Sequence, residues 1–304
     1  AKIVRSALFG ALLSLIAAQG CSCDGLADDD STATDDDDST AADDDDDDST
    51  AADDDHPTIG DAEVAVTPSG FLPACDGPVM DAFHSGAIDP PLQDSDGYVV
   101  PPTELLDAVR EAMEAALAAE GDAALAALDG TGYEVCRGAG EDEGLILWRP
   151  DEAGLGQPIV VWRHHAPSAL VLGVPHPNFE LGTLPEGVEL FEQLRARALI
   201  VSGTHRCANA GESGCEGETG VCSGSSEPFR ESDMAHTVDS LFQVSHEVLF
   251  HAFPDDWIVS VHGMDGNGVS VSDGTTQSSH ADAPVARLGA ALMAAFPAEE
   301  VTSC

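Results

Sequence analysis

The sequence predicts an α/β domain of three layers, helices packed on both faces of a mostly parallel central sheet, and three observations carry that prediction. Three runs, "SALVLGVPH", "ALIVSGTHR" and "WIVSVHG", are apolar without polar alternation, as strands buried on both faces are. Amphipathic stretches of helical period, "EGVELFEQLRAR", "VDSLFQVSHEVLFHAF" and "APVARLGAALMAAF", alternate with them. Residues 57–304 are enough chain to bury one sizeable core.

What precedes that domain is of a different kind. The chain opens AKIVRSALFGALLSLIAAQGCSC, where Lys2 and Arg5 lead into an apolar stretch, Ala7 to Ala18. That stretch has signal-peptide length and is too short to span a bilayer. "AAQGC" resembles a bacterial lipobox with Cys21 as the lipid acceptor; the other outcome is ordinary secretion with cleavage near Gly20. Residues 1–20 are thus expected to be a signal peptide of the lipoprotein type, and the domain to be anchored to the bacterial cell envelope or secreted. Residues 21–56 are nearly pure Asp, Ser, Thr and Ala from Asp24 to Asp55. Such a segment has nothing to bury and repels itself, so it reads as a disordered tether. It has no glycine turns or regular ligand spacing for a calcium array. The net charge is -45 and no lysine follows Lys2, which excludes nucleic acid as a partner. A membrane is expected to be touched only through the lipid, by a monomer.

Eight cysteines in an exported chain predict disulfides. Cys75 and Cys136 flank the first globular stretch and form a natural pair. Cys207, Cys215, Cys222 and Cys304 would supply two more bridges, with three connectivities open. The rival reading is zinc held by Cys207, Cys215 and Cys222, but their spacing is loose and no CxxC occurs.

Taken in order, Pro- and Gly-rich sequence from His56 to Pro102 reads as surface loop. Thr103 is expected to cap a helix through "ELLDAVREAMEAALAAEGDAALAAL", with Leu105, Leu106, Val109, Met113 and Leu117 on its inner side. "YEVC", "GLILWRP" and "PIVVWRHH" are short strands, the last two a hairpin. His164 and His165 fall in an exposed loop. In "VDSLFQVSHEVLFHAF" the inner side is Val238, Leu241, Phe242, Val248 and Leu249, with Thr237 or Ser232 as cap and His246 and His251 on the solvated face.

The ends of the three apolar runs share one chemistry. His176 ends the first, His205 and Arg206 follow the second, and His262 ends the third. In an open α/β sheet, ligands bind in the crevice beyond the carboxyl ends of the strands. Neutral imidazole and carboxylate suit Zn²⁺, and a catalytic zinc keeps three protein ligands and one open position. His176, Glu180 and His262 would supply N, O and N, because Pro177 ends the strand and "PNFE" turns Glu180 back toward His176. Arg206 would hold a substrate carboxylate or a developing oxyanion. His236, with Asp233 as its orienting partner, is a candidate proton shuttle or alternative ligand; the plain alternative is an acid on a helix N-terminus. No G-x-S-x-G elbow occurs, which argues against serine catalysis.

"VPHPNFELGT" and "WIVSVHGM" resemble the metal-binding segments of zinc-dependent carboxypeptidases, succinylglutamate desuccinylases, N-formylglutamate amidohydrolases and poly-γ-glutamate hydrolases. The resemblance implies a three-layer α/β/α fold and hydrolysis of an amide or peptide bond. It also implies that His176 and Glu180 match the first two zinc ligands, His262 the third, and Arg206 a carboxylate-binding arginine. The carboxypeptidase spacing is H-x-x-E, whereas this chain has H-x-x-x-E. Those enzymes take a late-strand glutamate as general base; after His262 only Glu299 and Glu300 occur, so the base is expected beyond Cys304 or from another residue. The expected activity is a tethered zinc hydrolase acting on a small molecule or peptide that bears a carboxylate. The alternative is a non-catalytic binding lipoprotein on the same fold.

Overall fold

The computed structural model describes residues 72–75, 90–138, 145–148, 156–263, 269–272, 283–295, 297 and 301–303. The expected signal peptide, Cys21, the acidic tether, Glu299, Glu300 and Cys304 lie outside those residues.

The order of elements is α1 (Thr103–Leu117), α2 (Gly121–Ala127), β1 (Glu134–Arg137), β2 (Leu145–Trp148), β3 (Ile159–Trp162), β4 (Ser168–Val174), α3 (Thr183–Leu194), β5 (Ala196–Val201), β6 (Glu218–Thr219), β7 (Glu227–Pro228), α4 (Leu241–Ala252), β8 (Trp257–Ser260), β9 (Val269–Val271), α5 (Pro284–Ala295) and β10 (Val301–Ser303). Six strands form one sheet in the order β1-β2-β3-β5-β4-β8. The three apolar runs are its parallel half, β5-β4-β8, and β1, β2 and β3 add to β5 as antiparallel neighbours. The sheet is therefore mixed, and the hairpin read from the sequence is β2–β3.

Period-two alternation divides the strand side chains between two cores. Val160, Trp162, Val171, Ala198 and Ile200 face the helices α1 and α4, meeting Val109, Met113, Leu241, Phe242 and Leu249. Val161, Leu172, Val174, Leu199 and Val201 face α3, meeting Val188 and Phe191. Helices thus cover both faces, and each fully buried apolar side chain contributes roughly 1.5–3 kcal/mol. The connection from β4 to β5 runs through α3 on one face, and the connection back to β8 runs through α4 on the other. β4 is consequently the strand where the winding reverses, and the crevice opens beyond its carboxyl end.

Five local expectations differ from the structure. Pro102, not Thr103, occupies the cap position of α1, and the predicted long helix breaks after Leu117 because Ala119 takes a left-handed conformation (φ 60) before α2 starts at Gly121. The cap of α4 is Ser240, whose hydroxyl accepts from the Gln243 N–H at 3.1 Å; Thr237 and Ser232 precede it, and Val238 lies outside the helix and is exposed. His246 does not sit on a solvated face. Its Nε2 is buried without a hydrogen-bond partner, edge-on to Phe242 and so close to Gly173 of β4 that a Cβ there would stand 2.8 Å away. Zinc on Cys207, Cys215 and Cys222, the rival reading that the loose spacing already argued against, is ruled out, because Cys207 is bonded to Cys222. His164, His165 and His251 are exposed, as expected.

The Cys75–Cys136 bridge is present as predicted and ties residues 72–75 beside β1, where the Cys75 N–H donates to Arg137 O at 2.9 Å. Within the second cysteine group only Cys215 and Cys304 remain to pair, and Cys304 lies outside the described residues. Disulfides of this kind mark an oxidising, extracytoplasmic compartment. Among the described residues no helix is long and apolar enough to cross a membrane.

Two outcomes are expected. The Cys75–Cys136 bridge closes a sequence span of 61 residues, so replacing both cysteines by alanine should lower the urea-unfolding free energy by up to roughly 4 kcal/mol in the chain-entropy account. Burial pushes the His246 imidazole down from 6.5 to about 4, so the unfolded chain takes up this proton first. The stability held in neutral His246 is whole above pH 6.5 and is lost as pH falls toward 4, up to about 3 kcal/mol. Urea titrations of wild type and His246→Leu should show their difference shrinking through that window; a constant difference would sink this account.

Candidate metal centre

The site begins with one turn of backbone. Beyond β4 the chain passes Pro175 to His176, whose carbonyl accepts from the N–H groups of Phe179 (3.1 Å) and Glu180 (3.0 Å). A closed turn places residues i and i+4 on one side. The H-x-x-x-E spacing therefore brings Glu180 Oε1 to 2.8 Å from His176 Nδ1. Thr183 fixes the far end of the turn, its hydroxyl donating to Glu180 O at 2.9 Å as α3 starts.

Because β8 runs parallel to β4, its end arrives at the same edge. His262 Nδ1 stands 3.4 Å from Glu180 Oε1, and the Gly263 N–H donates to Glu180 Oε2 at 2.8 Å. The rings of His176 and His262 meet edge-to-face at 5.1 Å. His176, Glu180 and His262 form a group that can hold a metal ion, with one ligand atom from each lying within 4.8 Å of the others. The group grades from a buried His176, 1% exposed, to an accessible His262, so it is backed by protein on one side and open on the other.

Behind His176 lies the residue that organises the site. Asp233 is buried, and its Oδ1 is 2.7 Å from His176 Nε2. Its Oδ2 accepts from Arg206 Nε at 3.1 Å and Nη2 at 2.7 Å. Arg206 Nη1 is 3.8 Å from Glu180 Oε1, so the guanidinium stands between the two carboxylates. His236 Nδ1 lies 3.3 Å from Asp233 Oδ1, and its ring stacks on Phe229 at 3.7 Å. With Asp233 on Nε2, the His176 Nδ1 faces Glu180 and can offer its lone pair to a cation there. A carboxylate on the far nitrogen of a ligating histidine is the arrangement that orients such ligands.

The charges balance against burial. Burial works against a proton on His176, but the bonds to Asp233 and Glu180 outweigh it and the ring's pKa is raised. Burial likewise works to raise Glu180 and Asp233. His176 and His262 on Glu180, and His176 and His236 on Asp233, overcome it and hold both carboxyls well below the usual range. Burial and then the Arg206 cation push His205 down, which keeps its imidazole neutral.

All three sequence-predicted ligands come together, and Asp233 ties His176 to Arg206 and His236. Its link to His176 and Arg206 was missed. The sequence signal was an acid with a histidine three residues on, read as an orienting pair or as a helix N-terminus; α4 starts only at Leu241, and no short-range pattern links Asp233 to residues 27 and 57 positions away.

Two variants separate the metal group from its backing. His262 is accessible, so His262→Ala should melt with the metal-free wild type and lose most of the affinity for added zinc. Asp233→Asn leaves Arg206 without its buried counter-charge. It should weaken zinc binding by about 10–100-fold and also lower stability by about 3–5 kcal/mol. Chelator-competition titration and thermal melts of both variants give the comparison.

Compared with protein-family models, curated proteins and solved structures, this chain finds no match.

Proposed function

We propose that the chain is an exported, lipid-tethered zinc hydrolase that cleaves an amide or peptide bond in a substrate bearing a carboxylate. The observation that carries this reading is the convergence of His176, Glu180 and His262 at the ends of two neighbouring parallel strands, open on one side, with Asp233 on the far nitrogen of His176. Two nitrogen ligands and one oxygen ligand, with room for a fourth, are the donor set of a catalytic zinc site. A zinc ion held by His176, Glu180 and His262 would supply Lewis acidity and lower the pKa of a nearby water.

The chain's own residues do the rest. Asp233 holds the Nε2 side of His176 and so keeps Nδ1 turned toward Glu180. Arg206 neutralises Asp233 and, with Nη1 beside Glu180, puts positive charge where an oxyanion or a substrate carboxylate would sit. His236, stacked on Phe229 with Nδ1 3.3 Å from Asp233 Oδ1, is the candidate to pass a proton to or from Asp233. The resemblance of "VPHPNFELGT" and "WIVSVHGM" to amide-cleaving zinc enzymes supports the same reaction class. One observation favours the binding-protein alternative: both carboxylates of the cluster, Glu180 and Asp233, already have partners, so neither is a free general base.

The test is elemental analysis of the exported protein purified without chelators, followed by assay of N-acyl amino acids and short peptides. About one zinc per chain and turnover of at least one panel member are expected. Zinc without turnover would favour the binding reading, and absence of zinc would reject both. Arg206→Lys should lower kcat by about a hundredfold if the guanidinium stabilises the oxyanion, and raise KM alone if it only binds the substrate carboxylate.

A further inference from the structure

We propose that His205 is the substrate-facing hydrogen-bond donor of this site: its Nε2–H is offered to an oxygen acceptor of the bound substrate, and Phe179 is the apolar wall that clamps its ring. This deepens the hydrolase reading and rests on it.

The turn after β5 is held from several directions. Gly203 lies so close to the chain beside it that a Cβ would stand 2.1 Å from Gln157 O. The Thr204 N–H donates to Ser202 Oγ at 3.2 Å, and the Ala208 N–H donates to His205 O at 2.8 Å. Cys207, bonded to Cys222, donates its N–H to His205 Nδ1 at 3.1 Å. A ring nitrogen that accepts a backbone N–H uses its lone pair to do so, and the proton of the neutral ring then sits on the other nitrogen. The loop therefore sets one tautomer, Nε2–H; that N–H makes no hydrogen bond among the described residues, and Asp94 is the nearby carboxylate whose charge the ring feels.

The ring's surroundings give it direction. His205 stands edge-to-face on Phe179 at 5.4 Å. Phe179 is the residue before Glu180 and lies 5.5 Å over the Arg206 guanidinium, which itself borders Glu180. His205, Phe179, Arg206 and Glu180 thus form one continuous wall beside the metal group. Two apolar side chains flank Glu180 on that turn, Phe179 at 36% exposure and Leu181 at 97%. An apolar rim around a preoriented, unpartnered donor fits an acyl group whose oxygen takes the hydrogen bond. A neutral imidazole N–H can polarise a carbonyl in this way without giving up its proton.

The test uses the full zinc-loaded chain with ¹⁵N-labelled histidine. Ring nitrogen shifts at neutral pH should report the Nε2–H tautomer for His205, and Nε2 should move on titration with N-acetylglycine, which carries one acyl oxygen and one carboxylate. An Nδ1–H tautomer or an imidazolium overturns the proposal. So does an Nε2 signal unmoved at the highest soluble N-acetylglycine concentration. In turnover, His205→Ala should lose about a hundredfold in kcat/KM with zinc content unchanged. A fall in kcat assigns the donor to the acyl carbonyl and a rise in KM alone to the carboxylate; unchanged kinetics overturn it. Phe179→Ala should cost far less in the His205→Ala background than in wild type, and equal costs remove Phe179 from the wall. Lack of turnover by wild type strikes the hydrolase reading, while the tautomer and titration still judge His205.

Discussion

Asp233 is a carboxylate taken out of water, and a charge in that position costs several kcal/mol unless its partners replace the lost hydration. Here His176 takes one oxygen and Arg206 the other. Each partner comes from the carboxyl end of a different parallel strand, so the ion pair can form only when β4 and β5 are in register. The loop that carries Asp233 is fastened to the same place by Ser232, whose hydroxyl donates to Arg206 O at 2.9 Å and accepts from the Asn209 N–H at 3.1 Å. A buried pair of this kind adds little net stability over an apolar core, but losing one member is costly. Its consequence is geometric: the orientation of His176, and through it the direction of Nδ1, follows from where the charge is satisfied.

The sheet supplies what the ion network needs. The reversal of winding at β4 leaves its end uncovered by either crossover helix, and three parallel strands deliver His176, Arg206 and His262 to one edge. The antiparallel strands β1 to β3 extend the sheet on the side away from β8 and take no part in the site. Burial decreases from His176 outward to His262, so the ion pairs lie where no solvent enters and the accessible corner of the metal group is His262.

Much of this was legible because its signals are local. Unbroken apolar runs marked β4, β5 and β8, and the residues just past them marked the edge. The turn from His176 to Glu180 follows from spacing alone, since four residues close one helical turn. The Cys75–Cys136 pairing followed from position. What stayed hidden depends on distant contacts. Ala119 breaks a helix whose periodicity continues through it, because the left-handed residue is set by packing of α2 back on α1. The burial of His246 depends on a glycine 73 positions earlier in β4 leaving room for the ring, although Phe242 and Leu249, one turn either side, already mark its side of α4 as apolar. How the hairpin joins the parallel strands was not legible: β3 is as apolar as they are, and only its pairing with β5 shows that it runs the other way.

The pairing of β4 with β8 also sets an order of events in folding. Leu170 and Trp257 are neighbours in that ladder, so the strand that delivers His262 docks only after a loop of nearly ninety residues has closed. Non-local parallel contacts of this length are slow to form, because the entropy of closure is lost before any contact repays it. The His176–Glu180 turn, by contrast, is local and can exist early. The third corner of the metal group is therefore a late arrival. A cation that needs all three corners binds the native state and not its partly folded precursors, so it draws the last step of folding forward by mass action.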